Sequence, residues 1–427
     1  MRIDQAQRVA VLSREWLTRA SAAVVVSALW FGLATPQSGA AQASPDWRAP
    51  RGSASQTAAA PASAARPKFT FWYEPWKGRE TFEKLGHSEV VIGLAPSNVP
   101  GVHQMGARAL RYVTFYQSRF GETYLKDAAD LPNVGFWNGH EFLKSAFGGE
   151  NNYVLCDNSK VVHDRVLADV QRMLLEKQFD GFFVDNTYLD PAAHEYCKST
   201  VHTHIQPNLR GDDAFLELLA EVRNKVKELS PSAIIVSNAG MPSMADRVGS
   251  GRLNVWDLSD QVLWESYGYS SYRDARHDRW PQAIKTSFSL PDAKRRKIIA
   301  LSYPLDVAEA EYSFAMARIF GFEWTANLGE SQAGTKKEGG HFGAFLPKIP
   351  FDLGMPITPM QGTAASDRIS RKFEHGEAIA NISDRPIRVV VPAGVRLYVA
   401  DRVSDTTSKS EVTLSRRTAA VFIYPTK

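Results

Sequence analysis

Cysteine is nearly absent from this chain: 427 residues contain two, Cys156 and Cys197, so a disulfide-stapled scaffold is excluded and at most one bridge can form. An excess of one charge sign is also missing. Lys plus Arg number 50 against 46 Asp plus Glu, a net charge of +4, which is too balanced to favour nucleic acid or an anionic membrane as partner. The densest basic run, Lys294-Arg295-Arg296-Lys297, reads as the solvated end of a helix before the apolar stretch 298–301. There is no Gly-rich phosphate loop, no Rossmann fingerprint and no Gly-x-Ser-x-Gly elbow, so nucleotide and serine-hydrolase chemistry have no foothold and no cofactor is expected. What is present is 44% hydrophobic and 22% charged residues, a folded globular make-up that excludes wholesale disorder.

The amino-terminal segment has a different character. Arg2, Arg8, Arg14 and Arg19 precede an apolar run over 22–34, and Ala41-Gln42-Ala43 has the Ala-x-Ala form of a signal-peptidase site. Residues 1–43 are therefore expected to be a secretory signal, because the run is shorter than the roughly 20 residues that span a bilayer. An uncleaved anchor is the alternative. Removing the segment takes four arginines and two acids (Asp4, Glu15) from the chain, so the mature protein stays near neutral, secreted or periplasmic, with no transmembrane span. Residues 44–67, rich in Ala, Ser and Pro, cannot bury enough surface to offset their ordering entropy and read as a linker.

Beyond Pro67, short apolar or β-branched runs alternate with longer amphipathic stretches, the pattern of a parallel sheet wrapped in helices. Strands are predicted at 69–73, 90–94, 110–116, 181–185, 233–237, 261–267, 298–303 and 322–326, and helices include 161–177 and 212–229. Eight strands over 68–370 imply an α/β fold, a (β/α)8 TIM barrel. A ninth run, 153–156, leads into Asp157-Asn158-Ser159 and reads as part of the third connection. From Arg371 the pattern shifts to short alternating strands at 371–373, 377–382, 388–391, 396–399, 411–414 and 419–423. Residues 371–427 therefore predict a small antiparallel β-sandwich that packs on the barrel, its core being marginal alone. An independent sugar-binding module is the other reading.

In such a barrel the carboxyl ends of the strands line the active-site mouth. Polar groups at those ends are Glu74, Gln117, Asp185, Asn186, Asn238, Glu265, Tyr303, Asp306 and Asn327, accompanied by Trp72, Tyr73, Trp76, Tyr116, Tyr188, Trp264, Tyr267 and Trp324. Carboxylates mixed with flat rings suit carbohydrate, whose C–H faces stack and whose hydroxyls hydrogen-bond. From this set Trp72, Tyr73, Glu74, Tyr116, Asn186, Tyr188, Asn238, Trp264, Tyr267, Tyr303 and Trp324 are expected to contact substrate. Cys156 and Cys197, both following strand ends in a chain bound for an oxidising compartment, are expected to form one disulfide. His202-Thr203-His204, with His194 nearby, lacks a further ligand at defined spacing, so these read as surface histidines and no metal is expected.

Two local sequences carry the chemistry. Phe179-Asp180-Gly181-Phe182-Phe183-Val184-Asp185-Asn186 is a buried strand ending in a carboxylate, and Val262-Leu263-Trp264-Glu265-Ser266-Tyr267 is another. Together with Ser237-Asn238-Ala239-Gly240, and a tail running from Arg371-Lys372-Phe373-Glu374-His375-Gly376 through Asn381-Ile382-Ser383-Asp384 to Val412-Thr413-Leu414, they resemble the α-galactosidase-like superfamily of glycoside hydrolase barrels. The likeness is greatest to its bacterial branches related to endo-polygalactosaminidases and the hypothetical glycoside hydrolase family fifteen. The resemblance spans roughly 69–425. It implies an aspartate nucleophile ending the fourth strand and a carboxylate acid/base ending the sixth, here Asp185 and Glu265, in a retaining mechanism. One departure is Phe183, which stands where the superfamily often carries a lysine two residues before the nucleophile. Glu265, flanked in sequence by Trp264 and Tyr267, is expected to sit in an apolar setting that keeps it protonated, with Asp185 ionised beside Asn186.

Overall fold

Alternation of two within short runs decides which side chains fill the barrel and which face the helices. The computed structural model describes residues 69–71, 89–145, 151–187, 195–246, 248–270, 277–326, 353–400 and 402–425, all within one compact unit, Ser63–Lys427. The expected signal (1–43) and linker (44–67) lie outside the described residues, as do Trp72, Tyr73, Glu74, Trp76, Tyr188, His194 and Asn327.

The first ten described strands are β1 (Phe69–Phe71), β2 (Val90–Ile92), β3 (Arg108–Val113), β4 (Gln117–Arg119), β5 (Asn152–Val154), β6 (Gly181–Val184), β7 (Ile234–Asn238), β8 (Gln261–Glu265), β9 (Ile298–Ser302) and β10 (Glu323–Ala326). Eight of them pair in parallel in the order β1-β2-β3-β6-β7-β8-β9-β10, and β10 lies beside β1, so the sheet nearly closes into a barrel. The remaining two, β4 and β5, form an antiparallel ribbon inside the connection from β3 to β6. The run at 153–156 is thus an excursion from the barrel and not one of its staves.

Inside the barrel, Phe69, Val90, Ile92, Leu110, Phe183, Val236, Leu263, Ile299 and Leu301 make one apolar cluster. Their chain neighbours Val91, Ala109, Phe182, Val184, Ile235, Val262 and Ala300 face the other way, onto the helices. Helix Gly211–Leu229 buries Phe215, Leu218, Leu219, Val222 and Val226 along one face, and helix Lys160–Leu175 buries Val162, Val166, Val170 and Met173. Lys294 and Arg295 close the short helix Asp292–Arg295 just before β9.

The carboxyl-terminal strands are β11 (Arg368–Phe373), β12 (Gly376–Asn381), β13 (Ile387–Val391), β14 (Arg396–Val399), β15 (Arg402–Asp405), β16 (Ser410–Leu414) and β17 (Ala419–Ile423). Five of these form an antiparallel sheet, β11-β12-β17-β14-β15, and β13 pairs with β16. Ile379, Leu397, Ala420 and Phe422 face Val389, Val391 and Leu414 across this small sandwich. On the opposite face, Ala378, Ala380 and Val421 join the barrel's helix layer. Helix Val307–Phe320 lies against that face, with Tyr312 Oη donating to the Asn381 carbonyl at 3.1 Å, and it is buried on nearly every side. Small alanines let the helix come close. Strand β15 was not anticipated, because its residues are all exposed and carry no inward alternation.

Gly181 explains itself at the entrance to β6. Its φ is +144°, and a Cβ there would lie 1.9 Å from the Ile234 carbonyl oxygen and 2.7 Å from its nitrogen, where the two strands pair. Gly181→Ala is expected to destabilise the fold by about 2–4 kcal/mol, from backbone strain and overpacking. Urea denaturation checks this, and a midpoint equal to that of the parent would contradict it.

Candidate active site

One alternation step above the apolar cluster, the inward positions become polar. Leu110 is followed two residues on by Tyr112, Phe183 by Asp185, Val236 by Asn238, Leu263 by Glu265 and Leu301 by Tyr303. These five belong to β3, β6, β7, β8 and β9 or the residue just past them, which are consecutive neighbours in the sheet, so the polar side chains stand side by side at the carboxyl ends.

They form one hydrogen-bonded row. Tyr112 Oη donates to Asp185 Oδ2. The Asn238 amide donates from Nδ2 to Asp185 Oδ1 at 2.7 Å and to Glu265 Oε2 at 2.9 Å. Tyr303 Oη donates to Glu265 Oε1 at 2.8 Å. Asn238 Oδ1 accepts from the Gly240 N–H at 2.9 Å, which fixes the amide orientation and turns both of its hydrogens toward the carboxyl groups. The Asn238 carbonyl takes Thr187 N–H at 2.9 Å and Thr187 Oγ1 at 2.7 Å, tying the end of β7 to the end of β6.

The facing oxygens of Asp185 and Glu265 can be no farther apart than the 2.7 and 2.9 Å bonds laid end to end. That nearest approach is closer to the roughly 5–5.5 Å separation at which one carboxylate attacks directly than to the roughly 6.5–9.5 Å that leaves room for an activated water between the groups. Burial pushes the Asp185 carboxyl above its usual range. The Tyr112 hydrogen bond pulls it back, Glu265 pushes it up again, and the Asn238 amide and the Asn186 N–H pull it down. Asn186 itself is buried and takes a left-handed φ of 57°, so the chain leaves the strand immediately after Asp185. Ser266 does the same after Glu265, at φ 59°.

Four expected substrate contacts are not in this mouth. Tyr116, Trp264, Tyr267 and Trp324 are buried in the layer between strands and helices. The Trp264 and Tyr267 rings meet edge-on at 4.9 Å, and Trp324 Nε1 donates to Ser313 Oγ at 3.0 Å. Parity is the reason: Trp264 precedes an inward residue and so faces outward, and the left-handed Ser266 turns Tyr267 onto the same outer side. Glu265 therefore faces Asn238 and Tyr303 instead of the expected apolar slot between two rings. Asp306 caps helix Val307–Phe320 through Glu309 N–H, and Gln117 is tied to Ser145 in the β4–β5 region. Asp180 sits at the opposite end of the barrel, accepting from Ala109 N–H at 2.7 Å and paired with His103 at 2.8 Å. The residue that sequence reading missed is Tyr112, although alternation from Leu110 marked it as inward.

The cysteines and histidines also depart from expectation. Cys156 and Cys197 are separate thiols and not a disulfide, and His202 is buried and not at the surface. The loop carrying Cys197 folds its imidazoles back toward Cys156, so the ligand atoms of Cys156, Cys197, His202 and His204 all lie within 4.8 Å of one another. A separate cavity of about 690 Å³ opens at the amino ends of the strands, lined by Glu89, Arg295, Arg318, Glu323, Arg371 and Glu374, away from the carboxylate row.

No family model matches the sequence, and no curated protein matches it. Solved structures similar to it include the glycoside hydrolase domain of PelA from Pseudomonas aeruginosa, 17% identical over 61% of this chain and 94% of that one, with a TM-score of 0.40. The maltogenic α-amylase AmyB from Thermotoga neapolitana is 10% identical over 82% and 93%, with a TM-score of 0.48. Amy13B of Eubacterium rectale is 11% identical over 84% and 94%, with a TM-score of 0.47.

Two expectations follow from the row. Tyr112→Phe removes a donor that stabilises the Asp185 carboxylate, so the Asp185 titration should move to higher pH in a carboxyl-resolved infrared or ¹³C titration; an unchanged or lower midpoint would sink the assignment. Linkage gives the second. A folded-state pKa above the unfolded value of about 3.9 means the folded chain binds the extra proton, so stability is lost as pH rises from there through the folded value. Asp185→Asn should accordingly melt above the parent at neutral pH and lose that advantage below pH of about 4. Parallel melting curves across pH would argue against a strained carboxylate.

Proposed function

We propose that this chain is an exported glycoside hydrolase that cleaves a polysaccharide with retention of configuration, using Asp185 as nucleophile and Glu265 as acid/base. The observation that carries the reading is the single Asn238 amide donating to both carboxyl groups, which holds them at a spacing suited to direct attack. In the first step an Asp185 oxygen bonds to the anomeric carbon while the glycosidic C–O bond breaks, and the Glu265 proton passes to the departing oxygen. In the second, Glu265 takes a proton from water as the water oxygen attacks the same carbon, and the Asp185–carbon bond breaks. Atoms and charge return to the start.

The division of roles follows the resemblance to the α-galactosidase-like barrels. Asp185 accepts from Tyr112, Asn238 and the Asn186 N–H, three donors that offset part of the upward push that burial and Glu265 exert on its carboxyl. Glu265 accepts from Asn238 and Tyr303. Two carboxyl groups this close resist being ionised together. A catalytically silent polysaccharide-binding barrel would instead depend on exposed flat rings, and among the described residues the candidate rings of Tyr116, Trp264, Tyr267 and Trp324 are buried in the core. Export rests on the signal expected over residues 1–43 and the linker to residue 67, with the barrel over 68–370 and the sandwich over 371–427.

Purified residues 44–427 incubated with a panel of bacterial exopolysaccharides should release new reducing ends, and ¹H NMR of the first product should show the anomer of the substrate. Asp185→Asn should abolish turnover on every substrate. Glu265→Gln should cost about 10²–10⁴-fold on natural glycosides and spare aryl glycosides whose leaving group needs no proton. Near-parental turnover by Asp185→Asn would remove it from the mechanism, and an inverted first product would overturn retention.

A further inference from the structure

We propose that Cys156, Cys197, His202 and His204 bind one zinc ion in a closed tetrahedral site that cross-links the connections leaving β3 and β6. The reading does not depend on the hydrolase assignment. Two thiols and two imidazoles are the ligand set that tetrahedral zinc favours, and they arrive from separate parts of the chain. Cys156 follows β5 in the connection leaving β3, and the other three lie in the connection leaving β6. These are the strands that deliver Tyr112 and Asp185.

Distances fit an ion. His202 Nε2 lies 3.1 Å from His204 Nε2 and 3.7 Å from Cys197 Sγ. Zinc bonds of about 2.3 Å to sulfur and about 2.0–2.1 Å to nitrogen, at the tetrahedral angle, give nitrogen–nitrogen edges of about 3.3 Å and sulfur–nitrogen edges of about 3.6 Å. His202 Nδ1 faces the Pro132 carbonyl at 2.9 Å, and because a carbonyl only accepts, that nitrogen carries the proton and Nε2 keeps its lone pair toward the cluster. The sulfurs are supported in the same manner. Trp137 N–H donates to Cys197 Sγ at 3.4 Å, Ser199 N–H also reaches it, and Asn158 N–H reaches Cys156.

Backbone pairing holds both halves in register without the ion. Lys198 N–H donates to the Trp137 carbonyl at 2.7 Å, Lys160 N–H to Thr203 at 3.1 Å and Ile205 N–H to Asn158 at 2.8 Å, and the Asn158 side chain bonds the Gln206 backbone on both sides. Binding would release the two thiol protons, leaving two thiolates and two neutral imidazoles around Zn²⁺ with no net charge on the site. Four protein ligands leave no open position for substrate or water, so the ion is structural.

The full chain, purified without chelators, should carry stoichiometric zinc by mass spectrometry, and its zinc K-edge spectrum should fit two sulfur and two nitrogen neighbours. After chelation, cobalt(II) should give a thiolate-to-metal charge-transfer band with the intense visible absorption of a four-coordinate ion. Removing zinc should lower the melting temperature, and His204→Gln should weaken metal affinity by at least tenfold. A Cys156–Cys197 disulfide found by peptide mapping, or thiol-intact protein that holds no zinc and takes up no cobalt, would overturn the proposal. The measurements on the unaltered chain decide it even if the variant fails to fold.

Discussion

Two carboxyl groups held within reach of one amide, at the partly buried mouth of a barrel, repel each other whenever both are ionised. Asn238 is what makes that arrangement tolerable. Its two amide hydrogens diverge in one plane, so a single side chain can satisfy an oxygen on each side, and its own oxygen is already taken by Gly240. The sheet order requires Asn238 to be in the middle, because β7 runs between β6 and β8. A flipped amide would aim its oxygen at both carboxyl groups and leave the Gly240 N–H facing a donor.

The polar row is close to a palindrome across five neighbouring strands: phenol, carboxyl, amide, carboxyl, phenol. Each member stands two residues beyond an apolar side chain of the barrel interior. The apolar layer thus does two jobs. It closes the barrel from below, and through the two-residue period it sets the height and direction of every group in the row. The sandwich contributes from the outside, where its small alanines allow helix Val307–Phe320 to be gripped between two sheets behind β9 and β10.

Much of the strand pattern, and the strand-end position of both carboxylates, could be read from the sequence because short apolar runs ending in Asp or Glu are unusual enough to stand out. The aromatic neighbours were misread for a definable reason. Trp264 and Trp324 sit one residue out of phase with the inward positions, and strand-end position alone does not give parity. Tyr112 was overlooked because it lies inside a predicted strand instead of at its end. The cysteine–histidine cluster was illegible for a different reason, since Cys156 and His202 meet only through the packing of two long connections, and no local spacing encodes that.

What distinguishes the two halves of the row is backbone, not side chain. Both carboxylates are followed by a left-handed residue, an arrangement costing of order 1–2 kcal/mol for most side chains and less for asparagine. After Asp185 that turn brings the Asn186 N–H onto the carboxylate, giving Asp185 a third donor beside Tyr112 and Asn238. After Glu265 the turn instead sends the chain into the aromatic layer, where the Tyr267 N–H is spent on the Leu301 carbonyl. A palindromic set of side chains thereby acquires unequal surroundings, with three donors on the Asp185 carboxyl against the two that Glu265 receives from Asn238 and Tyr303. The asymmetry between two chemically matched carboxyls thus lies in how two neighbouring strands end.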